Sequence, residues 1–186
     1  MPYKEIADTL LKKAPILTQR MCIRPPDEKD ISAYHNAMRD SKVELQRWMN
    51  WAKNWPNSNH IQTFFNESIS HWESGHRHLR LNAHDIATQR DLICSIGITI
   101  DDIGKREFHI SYWANSKFTG QGYTTEAVKA VLKTLFKNLH ASQIITGHAK
   151  KNFASKRIIE KCGFIPHVDP REEFGYKMVS IEQIPD

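Results

Sequence analysis

Cysteine is scarce in this chain of 186 residues: there are three, at positions 22, 94 and 162. An odd count without metal-ligand spacing argues against paired disulfides and a cysteine zinc site, and it suits a reducing cytoplasm. Long apolar runs are missing, and none approaches the ~20 residues of a membrane span. The first fourteen residues carry charges throughout and lack the apolar core of a signal peptide. They read instead as a short amphipathic leader helix over Met1–Ala14, with Ile6, Leu10 and Leu11 on one side. Basic runs interleaved with aromatics are absent too; Lys and Arg are scattered, never more than two together, as at Lys150-Lys151, which speaks against a nucleic-acid reader. No internal repeat or low-complexity segment interrupts the chain. What remains is ordinary for one globular domain over residues 1–186: 40% hydrophobic and 25% charged residues. A net charge of +5 and a pI near 9.1 give a mild bias toward anionic ligands.

The most informative stretch runs from Glu107 to Phe164. Phe108, Ile110, Tyr112 and Trp113 read as a strand, followed by the turn Lys117-Phe118-Thr119-Gly120-Gln121-Gly122-Tyr123. Ala127, Val128, Val131, Leu132, Leu135, Phe136 and Leu139 then recur at helical steps. Glycines between a strand and a helix let backbone N–H groups approach a ligand, and the first helical turn adds orphan donors and partial positive charge, which suits phosphate. A dinucleotide fingerprint would need a third glycine and an acid about 20 residues later; a triphosphate loop would need G-x-x-x-x-G-K-[ST]. Neither is present. A pyrophosphate turn of the form basic-x-x-Gly-x-Gly fits Lys117, Gly120 and Gly122, with a purely structural turn as the alternative. Gln143–Ala149 reads as a strand, and Asn152 and Gly163 bracket a further short helix before Phe164 begins another strand.

In this order and spacing, Gly-x-Gly-Tyr-x-x-Glu-Ala followed by Asn-x-x-Ser and Glu-Lys-x-Gly-Phe resembles the GNAT superfamily of acyl-CoA-dependent N-acyltransferases. Thr18-x-Arg20-x-x-Ile23-Arg24-Pro25 and the segment Glu44–Trp51 resemble its RimJ/RimL subgroup, the ribosomal-protein alanine N-acetyltransferases. The resemblance implies an α+β GNAT fold, a mixed, mostly antiparallel sheet of about seven strands flanked by helices, with a V-shaped splay between the central strands. It implies acetyl-CoA as cofactor, with direct attack by a primary amine. It places the pyrophosphate on the N–H groups of Gly120, Gln121, Gly122, Tyr123 and Thr124, and the pantetheine arm on Ile110, Ser111, Tyr112 and Trp113. Thr119 and Gln121 stand where basic residues are common, so phosphate holding should rest on backbone donors and Lys117. A backbone N–H near Tyr112 would polarise the thioester. Asn152 would bind the arm and Ser155 would protonate the leaving thiolate; plain helix capping is the competing role for both.

Upstream, Ile16–Pro25 reads as one alternating strand, Lys29–Asp40 as a helix capped by Asp27, Val43–Trp51 as a second helix, and Ile61–Glu73 as a third. Arg77–His84 and Asp91–Thr99 read as neighbouring strands. Trp48, Trp51 and Trp55 fall at helical steps and form either one buried face or the wall of an acceptor groove. His71, His76, His78 and His84 do not converge as ligands, and Arg77 and Arg80 beside them disfavour a metal. His109 stands where the subgroup often has a carboxylate; it is either the base for the amine, assisted by Glu107 on the same strand face, or an ordinary strand residue. Cys162 reads as core rather than nucleophile. The acceptor is expected to be a protein N-terminus bearing Ala or Ser, whose α-amine pKa near ~7.7–8.0 keeps deprotonation inexpensive. A small amine (polyamine, amino acid or antibiotic) or a non-catalytic CoA-binding module are the alternatives, and a homodimer is left open.

Overall fold

The computed structural model describes residues 2–186. Its elements in chain order are α1 (Pro2–Leu11), β1 (Ile16–Leu17), β2 (Met21–Arg24), α2 (Ile31–Asp40), α3 (Lys42–Trp48), α4 (Ser58–Ser74), β3 (His78–Asp85), β4 (Leu92–Asp102), β5 (Glu107–Ala114), α5 (Tyr123–Leu139), β6 (Gln143–His148), α6 (Phe153–Lys161), β7 (Ile165–Pro166) and β8 (Phe174–Met178). Of the leader helix expected over Met1–Ala14, Met1 lies outside the described residues; the helix itself spans Pro2–Leu11 and buries Ile6, Ala7 and Leu10.

The strands form one eight-stranded sheet in the order β1-β2-β3-β4-β5-β6-β8-β7. Every pairing is antiparallel except β5 with β6. That parallel ladder holds only at Glu107↔Gln143, Phe108↔Ile144 and His109↔Ile145. Beyond His109 the two strands part, leaving Ile110–Ala114 without a neighbour on that edge. This is the splay the resemblance implied; the eighth strand arises because the two-residue β1 and β7 both pair at the edges.

Alternation along the strands sorts side chains to two faces. Leu79, Leu81, Ile96, Ile98, Phe108 and Ile110 meet the apolar stripe of α5, built on Val128, Val131, Leu132 and Leu135. Truncating a side chain such as Leu132 there costs about 2–5 kcal/mol. On the opposite face, Trp113 and Leu92 pack with Tyr34, Phe65 and Leu45 from α2, α4 and α3. That cover extends over only one end of the face: Ser111, in the middle of a central strand, is exposed.

Two expectations need correction. Ile16–Pro25 is not one strand, because the Thr18 hydroxyl accepts from the N–H groups of Arg20 and Met21 at 3.3 and 3.0 Å and turns the chain into a hairpin. Nor do Trp48, Trp51 and Trp55 form one buried helix face. The backbone becomes extended at Met49 (φ −106°, ψ 118°), and the 3-10 turn that follows buries Ala52 and leaves Trp51 49% exposed.

Candidate active site

The glycine turn is held open from behind. Gly120 and Gly122 take left-handed φ angles of 77° and 81°, which side chains with a Cβ resist. Among the described residues, the N–H groups of Gly120, Gln121, Gly122, Tyr123 and Thr124 donate to no protein acceptor; the first bond of the helix is Glu126 N–H to the Gly122 carbonyl, 3.0 Å. Arg20, at the hairpin between β1 and β2, fixes this arrangement. Its guanidinium meets the Glu126 carboxylate at 2.7 Å, donates to the Gln121 carbonyl at 3.0 Å and lies 3.9 Å from the centre of the Tyr123 ring. Burial alone would raise the Glu126 carboxyl, but hydrogen bonds from Thr18 and Arg20 outweigh it and hold the group low, hence ionised. With its carbonyl drawn inward at Gln121, the turn presents amides outward, a fit for a diphosphate.

A cavity of about 540 Å³ runs from this turn along the splay. Ile110, Ser111, Tyr112 and Trp113 line it, with Thr119, Gly120, Gly122, Tyr123, Thr124, Asn152 and Ser155. The size is ordinary for a small-molecule site. Tyr112 projects on the α5 side and reaches α6. Its hydroxyl lies 3.0 Å from Ser155 Oγ and 3.3 Å from the Ser155 carbonyl. Burial pushes the Tyr112 phenol well above its ordinary range, against the opposing hydrogen bond of Ser155, so the hydroxyl keeps its proton. The Asn152 side chain accepts from Ser155 N–H at 3.1 Å, which is the capping bond.

The other side of the same strand carries His109. Its Nε2 lies 2.7 Å from Glu172 Oε1, in the segment between β7 and β8. Glu172 reaches it across Gly147, where an added Cβ would fall inside contact distance of the carboxyl. The segment is anchored by Arg171, whose guanidinium pairs with Asp169 and Asp101 at 2.7 Å each. Those bonds hold the Asp169 carboxyl down at about 2.

Several expected positions lie elsewhere. Glu107 does not line the cavity; the carboxylate on His109 is Glu172, because alternation sets Glu107 two residues down a strand already paired to β6 at that level. Lys117 turns its ammonium to Asp40, 2.7 Å away, and not into the cavity. Gln121 sends its side-chain amide back to the Lys117 carbonyl at 3.3 Å. Trp48 lines the cavity with Met49, while Trp51 and Trp55 stand outside it, Trp55 under the ammonium of Lys42. Cys162 is buried with its thiol pushed up to about 12, an unreactive state. His71 and His76 stack at 3.9 Å without forming a ligand set.

A sequence profile of the acetyltransferase (GNAT) domain matches residues 20–165. The chain belongs to the GNAT acetyltransferase family. A curated relative, the uncharacterized N-acetyltransferase YnaD of Bacillus subtilis (strain 168), is 25% identical over 155 residues, covering 80% of this chain and 81% of that protein. Two solved structures share the fold at 16% identity. One is the microcin C7 self-immunity acetyltransferase MccE with acetyl-CoA and AMP (TM-score 0.77, covering 88% of this chain and 94% of that one). The other is RimL, a ribosomal L7/L12 alpha-N-protein acetyltransferase, with coenzyme A (TM-score 0.76, 88% and 96%). This GNAT chain is thus an N-acetyltransferase with acetyl-CoA as its acyl donor. No helix among its described residues is long and apolar enough to cross a membrane.

Proposed function

We propose that this acetyltransferase modifies the N-terminal α-amine of a protein whose first residue is small, alanine or serine. The observation that carries the reading is the division of labour across β5. Tyr112 and Ser155 lie on one face of that strand, His109 and Glu172 on the other, and the unpaired edge from Ile110 to Ala114 lies between them.

The amides of Gly120 to Thr124 would hold the diphosphate, and the free edge of β5 would take the amide groups of the pantetheine arm. Acetyl-CoA supplies a thioester whose carbonyl carbon accepts a nitrogen nucleophile. A main-chain N–H near Tyr112, on the unpaired edge, would polarise the thioester carbonyl and favour negative charge on its oxygen. His109, with Nε2–H donated to Glu172, keeps a lone pair on Nδ1 and takes the proton of the incoming amine. Ser155, hydrogen-bonded to the protonated Tyr112 hydroxyl, delivers a proton to the departing sulfur. Proton uptake and release thus occur on opposite sides of one strand, where neither group short-circuits the other.

A polypeptide terminus suits the acceptor side because that face is an uncovered trough. Opposite the exposed Ser111 stands Gly97, where a Cβ would come within 2.7 Å of Ser111 Oγ. Trp48 and Met49 border the trough on the α3 side. RimL, a structural neighbour, is described as an alpha-N-protein acetyltransferase, and three buried free thiols suit the cytoplasm where ribosomal proteins are made. The test is thiol release from acetyl-CoA with Ala- and Ser-initiated peptides beside a panel of polyamines, amino acids and amine antibiotics. Turnover with the peptides supports the proposal. Turnover with the free amines alone refutes it in favour of a small-molecule enzyme.

A further inference from the structure

Several buried donors on the acceptor face of the sheet lack an acceptor: Arg24 Nε, Arg80 Nε, Asn82 Nδ2 and Trp113 Nε1. Strand register gathers them. Arg24 lies opposite Asn82, Asn82 opposite Ser95, and Ser95 opposite Trp113. One row nearer the open trough, Arg80 lies opposite Gly97, and Gly97 opposite the exposed Ser111.

The charges in this group are not equivalent. Arg24 is neutralised by a bidentate pair with Asp30 at 2.6 and 2.7 Å. Arg80, partly buried, donates to the neutral Ser95 hydroxyl at 3.1 Å and lies over the Phe64 ring at 4.9 Å. Among the described residues no carboxylate comes within 4.0 Å of its guanidinium, while Arg20, Arg24, Arg77 and Arg171 each have one. Its field reaches the buried Tyr34 hydroxyl, which burial pushes up and Arg80 pulls back. A neutral donor such as Asn82 or Trp113 needs only a neutral acceptor. Water does not supply the counter-charge that a half-buried cation lacks.

We propose that Arg80 receives a carboxylate of the acceptor, with the enzyme selecting amines that carry an acidic group about 10 Å from the reacting nitrogen. This rests on the reading above, in which the amine reaches the splay from the trough. Two inter-strand steps separate Arg80 from Ser111, together about 10 Å. An extended chain advances roughly 3.3–3.6 Å per residue. On a protein substrate the carboxylate is therefore an Asp or Glu side chain at the second or third residue. Arginine suits this task because its planar fork matches a carboxylate at two points.

The experiment measures kcat/KM for Ser-initiated peptides with Asp at position two or three against the same peptides with Asn. The ratio of acid to amide should be roughly ten- to a hundredfold in the wild type, the range of a charge-assisted contact. It should collapse toward one in Arg80→Met and survive in part in Arg80→Lys. Because the ratio is taken within one protein preparation, a loss of folded enzyme cancels. A wild-type ratio near one, or a ratio retained by Arg80→Met, overturns the proposal while leaving a peptide enzyme intact. If no peptide is turned over, the same ratio is read on 6-aminohexanoate against its amide. A preference that vanishes in Arg80→Met then sustains the role of Arg80 and sinks the protein reading; equal rates sink both.

Discussion

Gly147→Ala separates the proposed base from the fold that carries it. The backbone at Gly147 is ordinary strand, without a left-handed φ, so alanine is compatible with it. On propensity alone the change is neutral to favourable, by about 0.5–1 kcal/mol. The three atoms nearest the new methyl all belong to the Glu172 side chain, a flexible group that can swing aside. What is lost is the 2.7 Å contact to His109. A charge-assisted hydrogen bond of this kind is worth about 1.5–3 kcal/mol. At 1.36 kcal/mol per decade of rate, kcat/KM should fall roughly 10- to 150-fold. The assay is thiol release with an accepted amine, alongside thermal unfolding to show that the variant is folded at the assay temperature. Glu172→Gln should lose a similar factor, and the double variant little more than either single, because both remove one contact. Wild-type kcat/KM in Gly147→Ala, or fully additive losses in the double variant, would refute the reasoning.

Ser155→Ala should lower kcat about 10- to 100-fold with little change in KM for acetyl-CoA, since its task arises only as the thiolate departs. The Asn152 cap survives because it uses Ser155 N–H, so an unchanged kcat removes Ser155 from the catalytic list. Tyr112→Phe should share that defect; full activity would break the proposed relay. Arg20→Met should raise KM for acetyl-CoA roughly 5- to 20-fold while largely sparing kcat, by freeing the turn from Glu126 and Gln121; a lowered kcat with unchanged KM would contradict this. Asp169, held at about 2 by Arg171 and so below its unfolded value near ~3.9, contributes stability that is complete above about pH 4 and fades as pH falls through 2. Asp169→Asn should therefore lower the urea midpoint at pH 7 and match the wild type below pH 2, and a gap persisting there would count against the pairing.

The glycine turn and the helix after it were legible because each signal is local. Two glycines, a periodic stripe and an asparagine cap lie within a few residues of the structure they specify. Glu172 was not, since 63 positions separate it from His109 and it lies in a segment without periodicity. The available clue was Gly147 directly after the β-branched run Ile144-Ile145-Thr146, where an isolated glycine in a strand often marks a close approach. Arg20 was legible as part of a motif but not as the clamp on the turn, 106 residues from Glu126. Trp51 and Trp55 misled because spacing alone cannot register a break such as that at Met49. Lys117 misled because Asp40, its partner, belongs to another helix.

Three residue pairs are the whole ladder between the two halves of the sheet. On the reading proposed above, a donor lodged beyond the last of them would stand in for the strand that the polypeptide omits, lending its own amides as mortar. The loaded enzyme should then be the more cohesive body: amide hydrogens from Ile110 to Ala114 should exchange more slowly once coenzyme A is bound.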